Sequence, residues 1–306
     1  MGLKTKIQNL LSLFKKSATA SINLEYNQRR IWLEQQILHS PEKGVTDEKY
    51  CNHNIIVSLT SYGKRVNDVA ITIASIMEQT VKANRIILWL DNSFQSKRLP
   101  VCLELLKKRG LEVKFCKDIR SYTKLIPALK ECPEDAIITI DDDLIYDYDL
   151  LEHLIIAYLE NPNNIYCHRM HQMKIGNDGK ILPYFSWNWE CDDMEASHLV
   201  FPTGVGGVLY PPHCLDDEVF NEDVFLGICK YADDIWFKAM ALKKGTKAQR
   251  VFSRTPNSYV VNESVQDMGL ININGGNNMN DVQLKAVFDK YQLNSKIYEK
   301  KKKKMD

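Results

Sequence analysis

Ala136-Ile137-Ile138-Thr139-Ile140 runs directly into Asp141-Asp142-Asp143, and this junction limits the folds open to the chain more than any other stretch. Five β-prone residues in succession read as a strand buried on both faces, the pattern of a parallel sheet. Three carboxylates cannot follow it into a core, because unpaired buried charge is too unfavourable. They belong at the carboxyl edge of the sheet, where open α/β folds gather their ligands. On an extended backbone Asp141 and Asp143 point to one side and Asp142 to the other. Two carboxylates on one side make a hard oxygen site for Mg²⁺ or Mn²⁺, with positions left for phosphate oxygens.

The rest of the first half sets this strand in a series. Ile55–Leu59 reads as a strand, and Val66, Val69, Ala70, Ile73, Ile76 and Met77 repeat at helical spacing after it. Arg85–Leu90 is a second strand ending at Asp91, followed by a helix over Leu99–Lys108. Leu111–Cys116 is a third strand, Lys124–Lys130 a short helix, and Leu150 to Tyr158 a helix closed by Asn161-Pro162. Strand and helix alternating at this rhythm mean βαβ units, an α/β fold and a mostly parallel central sheet flanked by helices. After residue 163 the rhythm breaks. A strand at Ile165–His168 precedes loops rich in Trp and Tyr, a Gly-rich run from Phe201 to Pro212, and a helix over Asp234–Lys244. An Asn/Gly-rich segment, Asn272–Asn280, comes before the last helix.

Charge is unevenly spread. The net charge is +1, yet residues 1–20 carry Lys4, Lys6, Lys15 and Lys16 and no acid, and residues 298–306 carry Lys300 to Lys304 against Glu299 and Asp306. Taking +4 and +3 from the total leaves −6 on the body between them. An acidic body argues against nucleic-acid binding. Leu3, Ile7, Leu10, Leu11 and Phe14 share one face of an N-terminal amphipathic helix over 3–16 with lysines elsewhere. With the basic C-terminal tail, it fits an anionic membrane surface as well as the protein's own core. No apolar run approaches the ~20 residues of a membrane span, and no secretory signal is read. The eight cysteines are scattered without metal-ligand spacing, as for reduced thiols. The expected setting is therefore cytoplasmic, with peripheral association at the inner membrane face. Residues 1–50 read as a helical and linker segment, 51–297 as the main domain and 298–306 as a tail.

Several motifs together resemble a GT-A glycosyltransferase of the bacterial polysaccharide type, family 2-like. They are Ser58-Leu59-Thr60-Ser61-Tyr62-Gly63-Lys64-Arg65, the strand ending in Asp91, Tyr122-Thr123-Lys124-Leu125-Ile126-Pro127-Ala128 and the aspartate triplet. Pro202-Thr203-Gly204-Val205-Gly206-Gly207 and Ala232-Asp233-Asp234-Ile235-Trp236 resemble the family's acceptor-side motifs. The resemblance implies a GT-A-like domain with a nucleotide-sugar half over 51–163 and an acceptor half over 164–297. It implies a nucleotide-sugar donor, a carbohydrate or lipid-linked carbohydrate acceptor, and Mn²⁺ or Mg²⁺ held by Asp141 and Asp143. Thr60, Ser61, Tyr62, Arg65, Asp91, Lys124, Asp141 and Asp142 would then bind the nucleotide-sugar. Asp234, with Asp233, would serve as general base towards an acceptor hydroxyl, a role that requires a carboxylate within hydrogen-bond reach, or would stabilise the transition state if the enzyme is retaining. Gly204, Gly206 and Gly207 would allow close backbone approach to sugar or acceptor, and Trp236, with Trp187 and Trp189, would stack on sugar rings.

Simpler roles exist for the same residues. Ser and Thr cap helices, Asp closes turns, helix N-termini favour Asp, and tryptophans fill cores. Two other functions fit the carboxylates. A haloacid-dehalogenase-type phosphatase would use Asp141 as nucleophile and Asp143 as acid, but that motif normally follows the first strand and has Thr or Val where Ile145 stands. A non-catalytic nucleotide-sugar-binding subunit would need only the donor half.

Overall fold

The computed structural model describes residues 24–253, 259–261, 278–295 and 297. The amphipathic helix expected at 3–16, the lysine-rich tail and most of the segment 272–280 lie outside the described residues.

Apolar runs bounded by turn residues become the strands β1 (Ile55–Thr60), β2 (Arg85–Asp91), β3 (Leu111–Cys116) and β4 (Ala136–Thr139). All four run parallel in the spatial order β3-β2-β1-β4. Period-2 alternation sends Ile55, Val57 and Leu59 of β1 to one side of the sheet and Ile56 to the other. Both faces are covered, as a parallel sheet requires. On the first face lie α1 (24–39), through Leu33 and Ile37, and α2 (Val69–Met77), α3 (Val101–Lys108) and α5 (Leu150–Glu160). On the second lie α4 (Ile126–Glu131), α7 (Asp233–Lys244) and α8 (Met279–Lys290). The short helix α6 (Glu222–Ile228) joins that second layer through Phe225.

Beyond β4 the sheet continues with β9 (Val208–Tyr210), β6 (Ile165–Cys167) and β10 (Ala248–Arg250), giving seven strands in all. Only β9 runs against the rest. Two small antiparallel pairs flank the edge of this sheet: β5 (Leu144–Tyr146) with β11 (Tyr259–Val261), and β7 (Met170–Gln172) with β8 (Val200–Pro202). The coil after α1 is tied to the body. Gly44 donates its amide to Arg109 O at 2.8 Å, and the Arg109 guanidinium reaches Glu42 O at 2.7 Å. Gly44 presses so closely on Met77 that a Cβ would come within 2.3 Å of its side chain.

Because β1, β2 and β4 are parallel, their carboxyl ends meet at one edge. Thr60-Ser61, Asp91 and the aspartate triplet are thereby brought together from positions up to 83 residues apart in sequence. Among the described residues no helix is long and apolar enough to cross a membrane, and all eight cysteines are free thiols.

Candidate active site

The triplet departs from the expected extended path. β4 stops at Thr139, and Asp142 and Asp143 lie in a bend before β5 begins at Leu144. Strand alternation therefore does not govern where the carboxylates point. Asp142 and Asp143 share one cation, Arg65: its Nη2 is 3.0 Å from Asp142 Oδ1 and also pairs with Asp143 Oδ2. Ser61 Oγ donates to the other Asp142 oxygen at 2.6 Å. Burial pushes the Asp142 carboxyl up to about 6, with Arg65 and Ser61 pulling the other way. Asp143 is raised by burial and then by the charge of Asp141, against Arg65. Arg65, expected to bind the nucleotide-sugar, is here a buried counter-ion of the triplet. Burial lowers its pKa, yet the two carboxylates outweigh that and hold it above the ordinary value.

Asp141 faces a different cation. Lys124 Nζ lies 2.7 Å from Asp141 Oδ1 and 3.2 Å from Asp233 Oδ2. Lys124, expected to bind the nucleotide-sugar, is only 7% exposed. Burial lowers its pKa, but Asp141, Asp233 and Asp234 together keep it well above the usual lysine value. Ser58, facing the α4 side of β1, donates its hydroxyl to Lys124 O at 2.6 Å and accepts from Trp89 Nε1 at 3.0 Å. The backbone that carries Lys124 is thus pinned to β1 and β2. Tyr146 performs a matching task for Asp141: its oxygen accepts the Asp141 amide at 2.9 Å and its hydroxyl donates to Val205 O at 3.2 Å.

Asp233 and Asp234 open α7, where the helix dipole favours negative charge. Both Asp234 oxygens lie 3.1 Å from the Gly204 amide nitrogen, which donates to them. Burial and then the Asp233 charge raise the Asp234 carboxyl to about 7, offset by Lys124 and the Gly204 amide. Gly204 is where the backbone comes nearest to these charges. A Cβ there would stand 2.9 Å from Lys124 Nζ and 3.0 Å from Asp234 Oδ1. The close approach expected at Gly206 and Gly207 has other causes. A Cβ on Gly206 would strike Arg169 at 2.7 Å, and Gly207 takes the left-handed φ of 83° before β9.

Of the remaining expected residues, Thr60 spends its hydroxyl on Trp89 O at 3.0 Å, closing the end of the sheet. Tyr62 is 47% exposed, with the Arg65 guanidinium 5.6 Å from its ring centre. Asp91 accepts the Ser93 amide at 2.8 Å, a cap whose Ser93 contacts hold its carboxyl below the usual range. It also borders a cleft of about 430 Å³ lined by Gly63, Lys64, Phe94, Lys97 and Arg98. Trp236 corrects an expectation: at 0% exposure it is enclosed by Phe225 and Tyr291 and donates Nε1 to Val219 O at 3.2 Å. A sugar cannot stack on it. Trp187 is likewise buried, and only Trp189 of the three is open. Ser58 and Tyr146 were not anticipated as site residues, and no spacing in the sequence singles them out.

A parallel edge bearing a carboxylate triplet, faced by a helix that opens on Asp233-Asp234, defines a GT-A-type glycosyltransferase fold. Residues 57–207 match the model of glycosyl transferase family 2, and the chain carries a family 2 glycosyltransferase domain and is a glycosyltransferase. Among solved structures the chain is similar to 4-diphosphocytidyl-2C-methyl-D-erythritol synthase from Anaerococcus prevotii, at 13% identity and a TM-score of 0.42. That similarity covers 68% of this chain and 90% of the other. Comparison with curated proteins finds no match.

Proposed function

We propose that the protein moves a sugar from a nucleotide-sugar to a carbohydrate or lipid-linked carbohydrate acceptor in surface polysaccharide synthesis, with Asp234 as the general base. The observation that carries this reading is Lys124, held between Asp141 at 2.7 Å and Asp233 at 3.2 Å with Gly204 against it. One buried cation thus joins the strand-end carboxylates to the helix that bears Asp234. Donor and acceptor chemistry need that proximity, because the attacking hydroxyl and the departing diphosphate act on the same anomeric carbon.

Asp234 suits its role in both position and proton affinity. A carboxyl raised to about 7 is a stronger base than an ordinary aspartate and is still substantially ionised near neutral pH. It would take the proton of the acceptor hydroxyl as that oxygen bonds to the anomeric carbon and the bond to the diphosphate breaks. The Gly204 amide keeps the carboxylate oriented, and Lys124 offsets negative charge beside it. Asp141 and Asp143 fit a hard divalent cation, since the charge of Asp141 helps raise the Asp143 carboxyl and a cation would relieve that repulsion. Bound Mn²⁺ or Mg²⁺ would neutralise charge on the diphosphate. No set of three or more His, Cys, Asp and Glu side chains is grouped as a metal site among the described residues. Phosphate oxygens would then complete the coordination. The donor-side residues Thr60, Ser61, Tyr62, Arg65 and Asp91 line or brace the same edge, with the cleft beside Asp91 available to the nucleoside.

Calorimetric titration with UDP, GDP and their sugar conjugates, with and without Mn²⁺, tests this reading. Metal-dependent binding of one nucleotide, lost in Asp143→Ala, supports it; absence of any nucleotide binding refutes it. The basic segments, 1–20 and 298–306, support peripheral association with anionic lipid. Co-sedimentation with phosphatidylglycerol vesicles should fall with salt and with removal of 1–20, and unchanged partitioning would contradict that part.

A further inference from the structure

We propose that Tyr146 is a positioning residue for sugar transfer: its hydroxyl ties the backbone of the aspartate triplet to the turn that orients Asp234. The side chain is fully buried, and its one oxygen serves both sides. It accepts the Asp141 amide at 2.9 Å and donates to Val205 O at 3.2 Å. Val205 follows Gly204, whose amide holds the Asp234 carboxylate at 3.1 Å. Lys124 makes the same connection by charge, through Asp141 at 2.7 Å and Asp233 at 3.2 Å. Asp141 and the head of α7, 92 residues apart in sequence, are therefore joined twice, once by a cation and once by a neutral hydroxyl. The second link needs an atom that accepts and donates at once, which a phenol supplies and a phenyl ring does not.

Tyr146 is itself anchored from the far side. Thr72, Ser75 and Gln79, spaced by three and four along α2 and the turn that ends it, share one helical face, and all three are buried. Thr72 Oγ1 donates to Asp142 O at 3.0 Å, Ser75 Oγ accepts the Tyr146 amide at 3.1 Å, and Gln79 Nε2 donates to Asp147 O at 2.6 Å. Polar side chains in an otherwise apolar layer are unfavourable unless hydrogen-bonded, and these three hold the segment from Asp142 to Asp147 against α2. The Tyr146 ring thus stands on a fixed base and does not follow the turn it contacts.

The turn has a second brace. Arg169 Nη1 donates to Thr203 Oγ1 at 2.9 Å, and the Thr203 amide donates to Arg169 O at 3.1 Å. Arg169 therefore fixes the residue before Gly204 and Tyr146 the residue after it. Removing the Tyr146 hydroxyl frees Val205 O and leaves the Asp141 amide without its acceptor, so the turn and the triplet settle independently. A base displaced by about 1 Å loses on the order of 10²-fold in rate. The inference rests on the reading of Asp234 as general base, and it adds the residue that keeps that base in register with the donor-side carboxylates.

A mutant cycle joined to amide exchange tests it. Transfer is read as UDP or GDP release from UDP-glucose, UDP-N-acetylglucosamine and GDP-mannose, with methyl glycosides as acceptors. Tyr146→Phe should lower kcat by about tenfold or more, with the nucleotide-sugar KM changed by less than about threefold. In the Asp234→Asn background the same substitution should cost nothing further, because its effect passes through the base. Thr203→Val should behave alike and Thr203→Ser should retain wild-type kcat. By NMR, exchange of the Asp141 and Gly204 amides should quicken by about tenfold or more in Tyr146→Phe while β1 to β3 stay protected, a readout that needs no turnover. Unchanged exchange at both amides, or an equal loss of kcat in the Asp234→Asn background, would overturn the proposal. Wild-type transfer by Asp234→Asn, together with quickened exchange in Tyr146→Phe, would instead count against the base and leave the Tyr146 link standing.

Discussion

Gly204→Ala separates site geometry from fold stability. The added methyl carbon would stand 2.9 Å from Lys124 Nζ and 3.0 Å from Asp234 Oδ1. Comfortable contacts lie near 3.5–4.0 Å, so the two side chains must retreat by roughly 0.5–1 Å. Both are side-chain ends, so the fold can absorb the change at a cost of about 1–3 kcal/mol. At roughly 2–4 °C per kcal/mol for a domain of this size, the melting temperature should drop by about 2–12 °C. Catalysis is less tolerant, since a misplacement near 1 Å costs on the order of 10²-fold. Release of nucleoside diphosphate in the presence of acceptor should therefore fall about 100-fold while thermal denaturation stays cooperative. Gly227→Ala is the control, because nothing lies within 4 Å of a Cβ there. A Gly204→Ala protein with wild-type turnover would refute the claim that this turn sets the positions of Lys124 and Asp234.

Other consequences follow from the same contacts. Arg65→Met removes the shared cation of Asp142 and Asp143 and should lower stability by about 3–5 kcal/mol, measured by urea denaturation at pH 7. Much of that loss should be recovered near pH 5, where Asp142 is neutral. With Asp142 raised to about 6 and Asp234 to about 7 in the folded protein, the folded state binds more protons than the unfolded chain and unfolding releases them, so the stability these groups contribute falls as pH rises from about 4 to 7. Activity should move the opposite way, with kcat/KM rising on a limb near pH 7 that Asp234→Asn abolishes. Trp236→Phe should destabilise the protein, seen as a lower melting temperature, and leave the acceptor KM unchanged, because that ring is enclosed in the core.

Local pattern was enough for the elements that depend on local pattern. The strand expected at Leu111–Cys116 has those bounds, and the helix expected to close at Asn161-Pro162 does so after Glu160. The triplet's place at a sheet edge follows from the cost of burying charge, and the structure agrees. Pairing across the fold was not legible. Arg65 with Asp142 and Lys124 with Asp233 join residues 77 and 109 apart in sequence, and nothing in the spacing selects those partners over solvent or phosphate. Trp236 was misread because helix α7 is apolar on most of its surface, so position alone did not tell a buried ring from an exposed one. The Gly-rich run marks Gly204, Gly206 and Gly207 alike for close backbone approach. The critical contact at Gly204 depends on where Lys124 and Asp234 end, which only tertiary packing decides.

The central claim is that Asp234 accepts the acceptor proton at a site otherwise assembled for the donor. Paired measurements on Asp234→Asn test it most directly: nucleotide-sugar affinity by calorimetry and sugar transfer to acceptor under saturating donor. The account predicts donor affinity within about twofold of wild type and transfer reduced by at least the ~10²–10⁴-fold that general-base catalysis supplies. Transfer at the wild-type rate, with donor affinity unchanged, would contradict it.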